Sequence, residues 1–233
     1  MTTLLEVRDL KMYYGTMKGD VKAVDDVSFS LRMGESLGIA GESGCGKTSV
    51  ALALMKLQPS NAKILSGTIK LGDMDVLNMD DDEIRREVRW KRISMVPQAA
   101  MNALNPVFTV KDQIIEAILA HEDVSEREAE ERTVKLLRMV GIDPSRAGNY
   151  PHEFSGGMKQ RAMIAMALAC NPEIVIADEP TTALDVIVQA QVLKVIKTLQ
   201  RELGLSMILI SHDLSVVAET CDRTIIMYAG NIV

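Results

Sequence analysis

The octapeptide GESGCGKT at 41–48 constrains this chain more than any other stretch. It fits G-x-x-x-x-G-K-[ST] without a mismatch, after the apolar run 37–40 and before KTSVALALMKL, so a buried strand must turn into a helix across it. Such a loop wraps phosphate oxygens in backbone N–H groups, while Lys47 supplies a point charge and Thr48 a hydroxyl for Mg²⁺. Cys45, at a variable position of the loop, reads as a small tolerated side chain.

The rest of the chain supplies the α/β frame such a loop needs. Short β-type runs, LLEVRDL, KAVDDVSFSL and ESLGIA, lead into the loop, and SGTIKLGDMDV, punctuated by Gly67 and Gly72, reads as a hairpin returning to the first strands. KTSVALALMKL reads as a helix ended by Gln58-Pro59, and 80–92 as a short solvated helix with acids in its first turn and bases in its last. RISMVPQ reads as a strand ending at Pro97-Gln98. From Ala99 to about Tyr150 apolar residues recur at helical spacing in VKDQIIEAILAHE and REAEERTVKLLRMVGI. A helix at 156–170 is then followed by strand EIVIAD, helix VIVQAQVLKVIKTLQREL, strand SMILIS, helix LSVVAET and strand RTIIMY. This alternation predicts a mainly parallel sheet with right-handed crossovers, an N-terminal antiparallel β-subdomain and an inserted helical subdomain. The expected organisation is one domain over 1–233, with 1–98 and 171–233 forming the α/β core and 99–170 the helical insert.

Charge narrows the function classes. Lys and Arg total 26 against 32 Asp and Glu, which leaves no basic footprint for nucleic acid. The three cysteines, Cys45, Cys170 and Cys221, lack metal or disulfide spacing and suit a reducing compartment. The first eleven residues mix acids and bases without an apolar core, so no signal peptide is expected. The longest apolar run, 162–170, is too short to cross a bilayer. If the chain works at a membrane, another chain spans it.

Two further segments carry chemistry. In IVIADEP the apolar residues bury a strand so that Asp178 emerges at its C-terminal edge as a second Mg²⁺ partner, and Glu179 stands ready to polarise a water. In FSGGMKQR, Ser155, Gly156 and Gly157 open a helix, which makes either an ordinary N-cap or a second anion site. The chain has no N-K-x-D and no glycine with an aspartate three residues before it, so adenine nucleotides are favoured over guanine.

In combination these residues closely resemble the nucleotide-binding subunit of ATP-binding-cassette transporters. The resemblance rests on the Walker A loop GESGCGKT, the Q-loop glutamine of VPQ, the signature FSGGMKQR, the Walker B strand IVIADE, the D-loop TTALD and the switch histidine of SHD, in the family's order. It implies ATP as ligand with Mg²⁺ as cofactor. ATP contacts fall on Gly41, Glu42, Ser43, Gly44, Cys45, Gly46, Lys47, Thr48, Ser49 and Gln98, and Mg²⁺ on Thr48, Gln98 and Asp178. Glu179 would be the base, assisted by His212 and Lys47. Tyr14 would stack on adenine, with Tyr13 as its rival. Ser155, Gly156, Gly157, Lys159 and Gln160 would act on the nucleotide of a second chain, and Asp185 would link the two sites.

NALNP, Met158, DEPTTALDV and MYAG are similar to the dipeptide, oligopeptide and nickel importers, while Phe154 departs from the commoner leucine. The implied partners are a second ATP-binding subunit, identical or not, and permease subunits at the cytoplasmic face of the membrane. An extracytoplasmic substrate-binding protein would act indirectly, and no nucleic acid is expected. The alternatives are a soluble cassette ATPase of DNA maintenance, which would carry a long coiled coil in place of this short insert, and a non-hydrolysing ATP switch.

Overall fold

The computed structural model describes residues 2–98 and 100–233; Ala99, where the insert is expected to begin, lies outside the described residues. The first half runs β1 (Thr3–Thr16), β2 (Gly19–Arg32), β3 (Ser36–Gly41), α1 (Lys47–Leu54), β4 (Ala62–Leu71), β5 (Met74–Asp75), the single turn α2 (Asp81–Glu83) and β6 (Ile93–Val96). Then come α3 (Val110–His121), α4 (Glu126–Met139), α5 (Gly156–Ala167), β7 (Ile174–Asp178), α6 (Val186–Leu203), β8 (Ser206–Ser211), α7 (Leu214–Thr220), β9 (Arg223–Tyr228) and β10 (Asn231–Ile232). The expected α/β class, with parallel strands, an antiparallel β-subdomain and a helical block, is the class found. The chain forms two compact units, Met1–Arg89 with Ser206–Val233, and Trp90–Leu205.

In the first unit, β2, β1, β4 and β5 form an antiparallel sheet in that order. β1 and β2 are each 14 residues long, longer than their apolar runs. A bulge lets them continue: the β1 register shifts against both neighbours around Asp9, which has a φ of 50°. Gly67, expected as punctuation, lies inside β4 opposite that bulge, where a Cβ would sit 2.6 Å from Leu10 Cα and 2.8 Å from the Arg8 carbonyl oxygen. The glycine therefore answers a close backbone approach and not a turn.

In the same unit β8 and β9 lie parallel on either side of β3, with β10 added antiparallel to β9. β3 is buried from Ser36 to Ala40, as a strand covered on both faces requires. Its start is tied to the residue before β9: the Ser36 N–H and hydroxyl donate to Asp222 Oδ2 at 2.8 and 2.7 Å, which holds that carboxyl below its usual range.

The segment 80–92 differs from expectation. After a capping box between Asp80 and Glu83, the chain widens into a π-turn over Ile84–Val88, closed by Arg89 N–H to the Ile84 carbonyl at 2.9 Å. The wider turn buries both Ile84 and Val88 and carries Arg89 to the end of α1, where its guanidinium donates to the Met55 and Lys56 carbonyls at 3.0 and 2.6 Å. α1 accordingly ends at Leu54, before Gln58-Pro59.

In the second unit β6 and β7 pair in parallel from Ile93↔Ile174 to Val96↔Ala177. The helices begin on side-chain caps, Thr109 for α3, Ser125 for α4, Ser155 for α5 and Asp185 for α6. α6 buries Val192, Ile196 and Leu199 on one stripe and ends at Gly204, which has a φ of 62°. Arg161 of α5 caps the end of α4 by donating to the Val140 and Gly141 carbonyls at 3.3 and 2.8 Å. Among the described residues no helix is long and apolar enough to cross a membrane.

Candidate functional site

The phosphate loop of the first unit leaves β3 at Gly41 and enters α1 at Lys47. Gly46, the residue before α1, has a φ of 110°, and a Cβ there would fall on the Ala23 carbonyl oxygen. No other residue fits both demands. Lys47 is only 5% exposed, and its ammonium donates to the Gly41 and Glu42 carbonyls at 2.8 and 2.7 Å. The charge is thereby fixed inside the loop, ahead of a helix whose first turn carries no acid to offset its dipole. Gly230 N–H donates to the Cys45 carbonyl at 3.0 Å and ties the loop to the β9–β10 turn. Glu42, Ser43 and Gly44 stay exposed.

Tyr14, the expected adenine contact, and its rival Tyr13 are divided by the strand's alternation. Tyr13 donates to Asp25 Oδ1 at 2.7 Å under the Lys22 ammonium, 5.6 Å from its ring centre. That bond raises the Tyr13 pKa and lowers that of Asp25. Tyr14 instead meets the Ser49 hydroxyl at 3.3 Å, beside Thr48 in the first turn of α1.

His212 follows β8 and is exposed, and it lines a cleft of about 420 Å³ with Gly41, Glu42, Ser43, Leu214 and Ile226. Its backbone is pinned on the far side: Asp213 N–H donates to Ser211 Oγ at 3.0 Å, and Asp213 caps α7 through Ser215 N–H at 2.8 Å. The expected switch residue thus shares a cleft with the start of the phosphate loop.

In the second unit β7 delivers Asp178, fully buried, and then Glu179 with a φ of 47°. A left-handed glutamate costs about 1–3 kcal/mol, and such strain persists only where neighbours hold it. Two do so here, since Glu179 Oε2 accepts from Gln98 Nε2 at 3.1 Å and from the Thr182 hydroxyl at 2.9 Å. Gln98 and Glu179, eighty-one positions apart in sequence, are therefore brought together. Asp185, exposed, accepts from Val188 N–H at 3.0 Å as the cap of α6.

At the signature, Phe154 is buried and Ser155 is exposed, capping α5 through Met158 N–H at 3.4 Å. Gly157 is buried, Lys159 is half-buried, and Gln160, at 4% exposure, turns inward. Arg146 braces both residues that set this signature apart, with its guanidinium 5.8 Å over the Phe154 ring and 3.8 Å from Met158 Sδ. The sequence reading missed Arg146, Thr182 and Val188. Arg146 and Val188 belong to none of the quoted motifs, Thr182 lies in TTALD with no role of its own assigned, and only the contacts mark them.

The residues expected to hold Mg²⁺ are a hydroxyl, an amide and a carboxylate: Thr48 in the first unit, Gln98 and Asp178 in the second. Among the described residues no group of three or more His, Cys, Asp or Glu could hold a metal by itself. Each of the three offers a hard oxygen, the donor type that suits Mg²⁺, an ion that keeps waters and substrate phosphates as its other ligands.

Residues 24–182 match the family described as "ABC transporter". A probable peptide ABC transporter ATP-binding protein, y4tR of Sinorhizobium fredii, is 51% identical over 99% of this chain and 69% of its own length. The oligopeptide transport ATP-binding protein AppD of Bacillus subtilis is 48% identical over 100% of this chain and 72% of its own. The dimeric post-hydrolysis structure of the ATP-binding cassette MJ0796, bound to ADP and Pi, superposes with a TM-score of 0.85 at 28% identity, covering 98% of this chain and 96% of that one.

Proposed function

The chain belongs to the ABC transporter family, and we propose that it is an ATP-hydrolysing subunit that powers peptide import through a membrane permease. The peptide assignment is supported by relatives named for peptide and oligopeptide transport, similar over nearly all of this chain. In this reading the chain lies against the cytoplasmic face of the permease and pairs with a second ATP-binding subunit. The dimeric state of the similar cassette supports the pairing.

The observation that carries hydrolysis is the clamp on Glu179. Gln98 and Thr182 hold its carboxylate just past the end of β7 in a strained backbone position, which suits a base. A water oxygen attacks the γ-phosphorus, the bond to the ADP oxygen breaks, and Glu179 takes the proton the water loses. Gln98, already bonded to the same carboxylate, orients the water. Lys47 and the N-terminus of α1 bind the phosphates, and His212 contacts the γ-phosphate from its cleft. Bound Mg²⁺, held by Thr48, Gln98 and Asp178, would offset phosphate charge. Tyr14, whose hydroxyl meets Ser49 beside Thr48, is the adenine contact in preference to Tyr13, whose hydroxyl is turned to Asp25 of β2.

Ser155–Gly157 serve the partner's nucleotide, since Ser155 stands exposed at a helix start without an acid in its first turn. Closure around ATP then favours the dimer, and hydrolysis releases it. Ser155→Arg and Lys47→Ala chains, each inactive alone, should regain part of the turnover when mixed, because one site of the mixed dimer keeps both intact halves. A mixture as inactive as its components would refute shared sites.

A further inference from the structure

A glycine beside a bound phosphate is ordinarily explained by the approach of the ligand. Gly157 has a tighter neighbour within its own chain. A Cβ there would land on Val188 Cγ1, with Val188 Cβ and Cγ2 at 3.7 and 3.9 Å. Val188 has little freedom to step aside. It lies in the first turn of α6, where a β-branched side chain strongly prefers one χ1 rotamer. Its N–H is bound to Asp185 Oδ1 at 3.0 Å. The next residue fastens the same turn twice more, through Gln189 N–H to the Asp185 carbonyl at 2.8 Å and Gln189 Nε2 to Thr181 Oγ1 at 3.1 Å.

We infer that Val188 is a positioning residue for the signature: it fixes where the first turn of α5 stands, and it, more than the phosphate, forbids a side chain at position 157. Asp185 and Thr181 act on the signature through it, because they hold the turn on which Gly157 rests. The inference builds on the proposed role of Ser155–Gly157 in binding nucleotide.

A size exchange tests it. Gly157→Ala should lower kcat about 10²-fold through a displaced signature, and adding Val188→Ala should return turnover to within about tenfold of the parent, since the second change removes the methyl that the first collides with. Val188→Thr, of nearly equal volume, should retain parental kcat. Thermal melting of each ATP-free variant sets an assay temperature at which all are folded. The inference is overturned if the double variant melts like the parent yet stays as inactive as Gly157→Ala, because the phosphate would then be what demands glycine. It is equally overturned if folded Gly157→Ala turns over at the parental rate, because the contact would then be structural only. Failure of the shared-site reading is separable: it would show as an inactive mixture of Ser155→Arg and Lys47→Ala chains, whatever positions 157 and 188 hold.

Discussion

The phosphate loop and the signature are both glycine-flanked helix starts, yet they are built in opposite ways. At the loop the charge is held from within and the backbone is held by its neighbours: Lys47 is buried on two carbonyls of its own loop, and Gly46 is pressed against the backbone of β2. At the signature the cap is exposed, its bond is long at 3.4 Å, and the support lies behind it in Arg146 and Val188. A cradle that holds its own charge can bind a nucleotide in a single chain. A helix start turned outward needs a ligand brought to it. In the proposed reading the same local chemistry serves as a receptor in one place and a docking end in the other, and the difference lies in what is packed behind each glycine.

The contrast can be broken most severely at Gly46. Gly46→Ala should abolish ATP binding and lower the melting temperature, because the added Cβ meets the Ala23 carbonyl oxygen and the left-handed backbone is strained as well. Calorimetric titration with ATP checks this, and parental affinity would show that the loop is not self-contained. The smallest expected effect sharpens the other side. Ser155→Ala should cost about 1 kcal/mol or less of folding stability, the value of one exposed cap, while ATP affinity of the single chain stays unchanged. Urea unfolding and the same titration measure both quantities, and a loss of single-chain affinity would place the signature in its own chain's site.

How much of this was legible in the sequence depended on where the information lay. β8, α6 and α7 follow their apolar runs residue for residue, since unbroken burial or one clean stripe leaves little choice of boundary, and β9 likewise keeps to RTIIMY although only Met227 in it is buried. The π-turn at Ile84–Val88 was not legible, because it depends on Arg89 reaching carbonyls at the end of α1. Gly67 misled for the same kind of reason: it is required by a bulge on another strand. In the candidate site, the placement of the loop between β3 and α1, of Asp178 at the end of β7 and of Glu179 just beyond it was readable, because motif spacing fixes position along the chain. Arg146 and Val188 were not, since an arginine and a valine announce nothing until their neighbours are known, and Thr182, though inside TTALD, shows its bond to Glu179 only in the fold. The sequence preferred Tyr14 to Tyr13 without a physical difference between them, which the structure supplies in the separate partners of their hydroxyls, Ser49 and Asp25.

The central claim is that ATP joins two chains at sites each supplies in halves. Mass photometry or sedimentation of the Glu179→Gln chain with saturating ATP and Mg²⁺, in the presence of its permease subunits, measures this most directly. The account predicts turnover reduced about 10²- to 10⁴-fold and a paired ATP-binding subunit that separates when ATP is removed. A chain that binds ATP tightly yet never pairs, at any concentration, would contradict it.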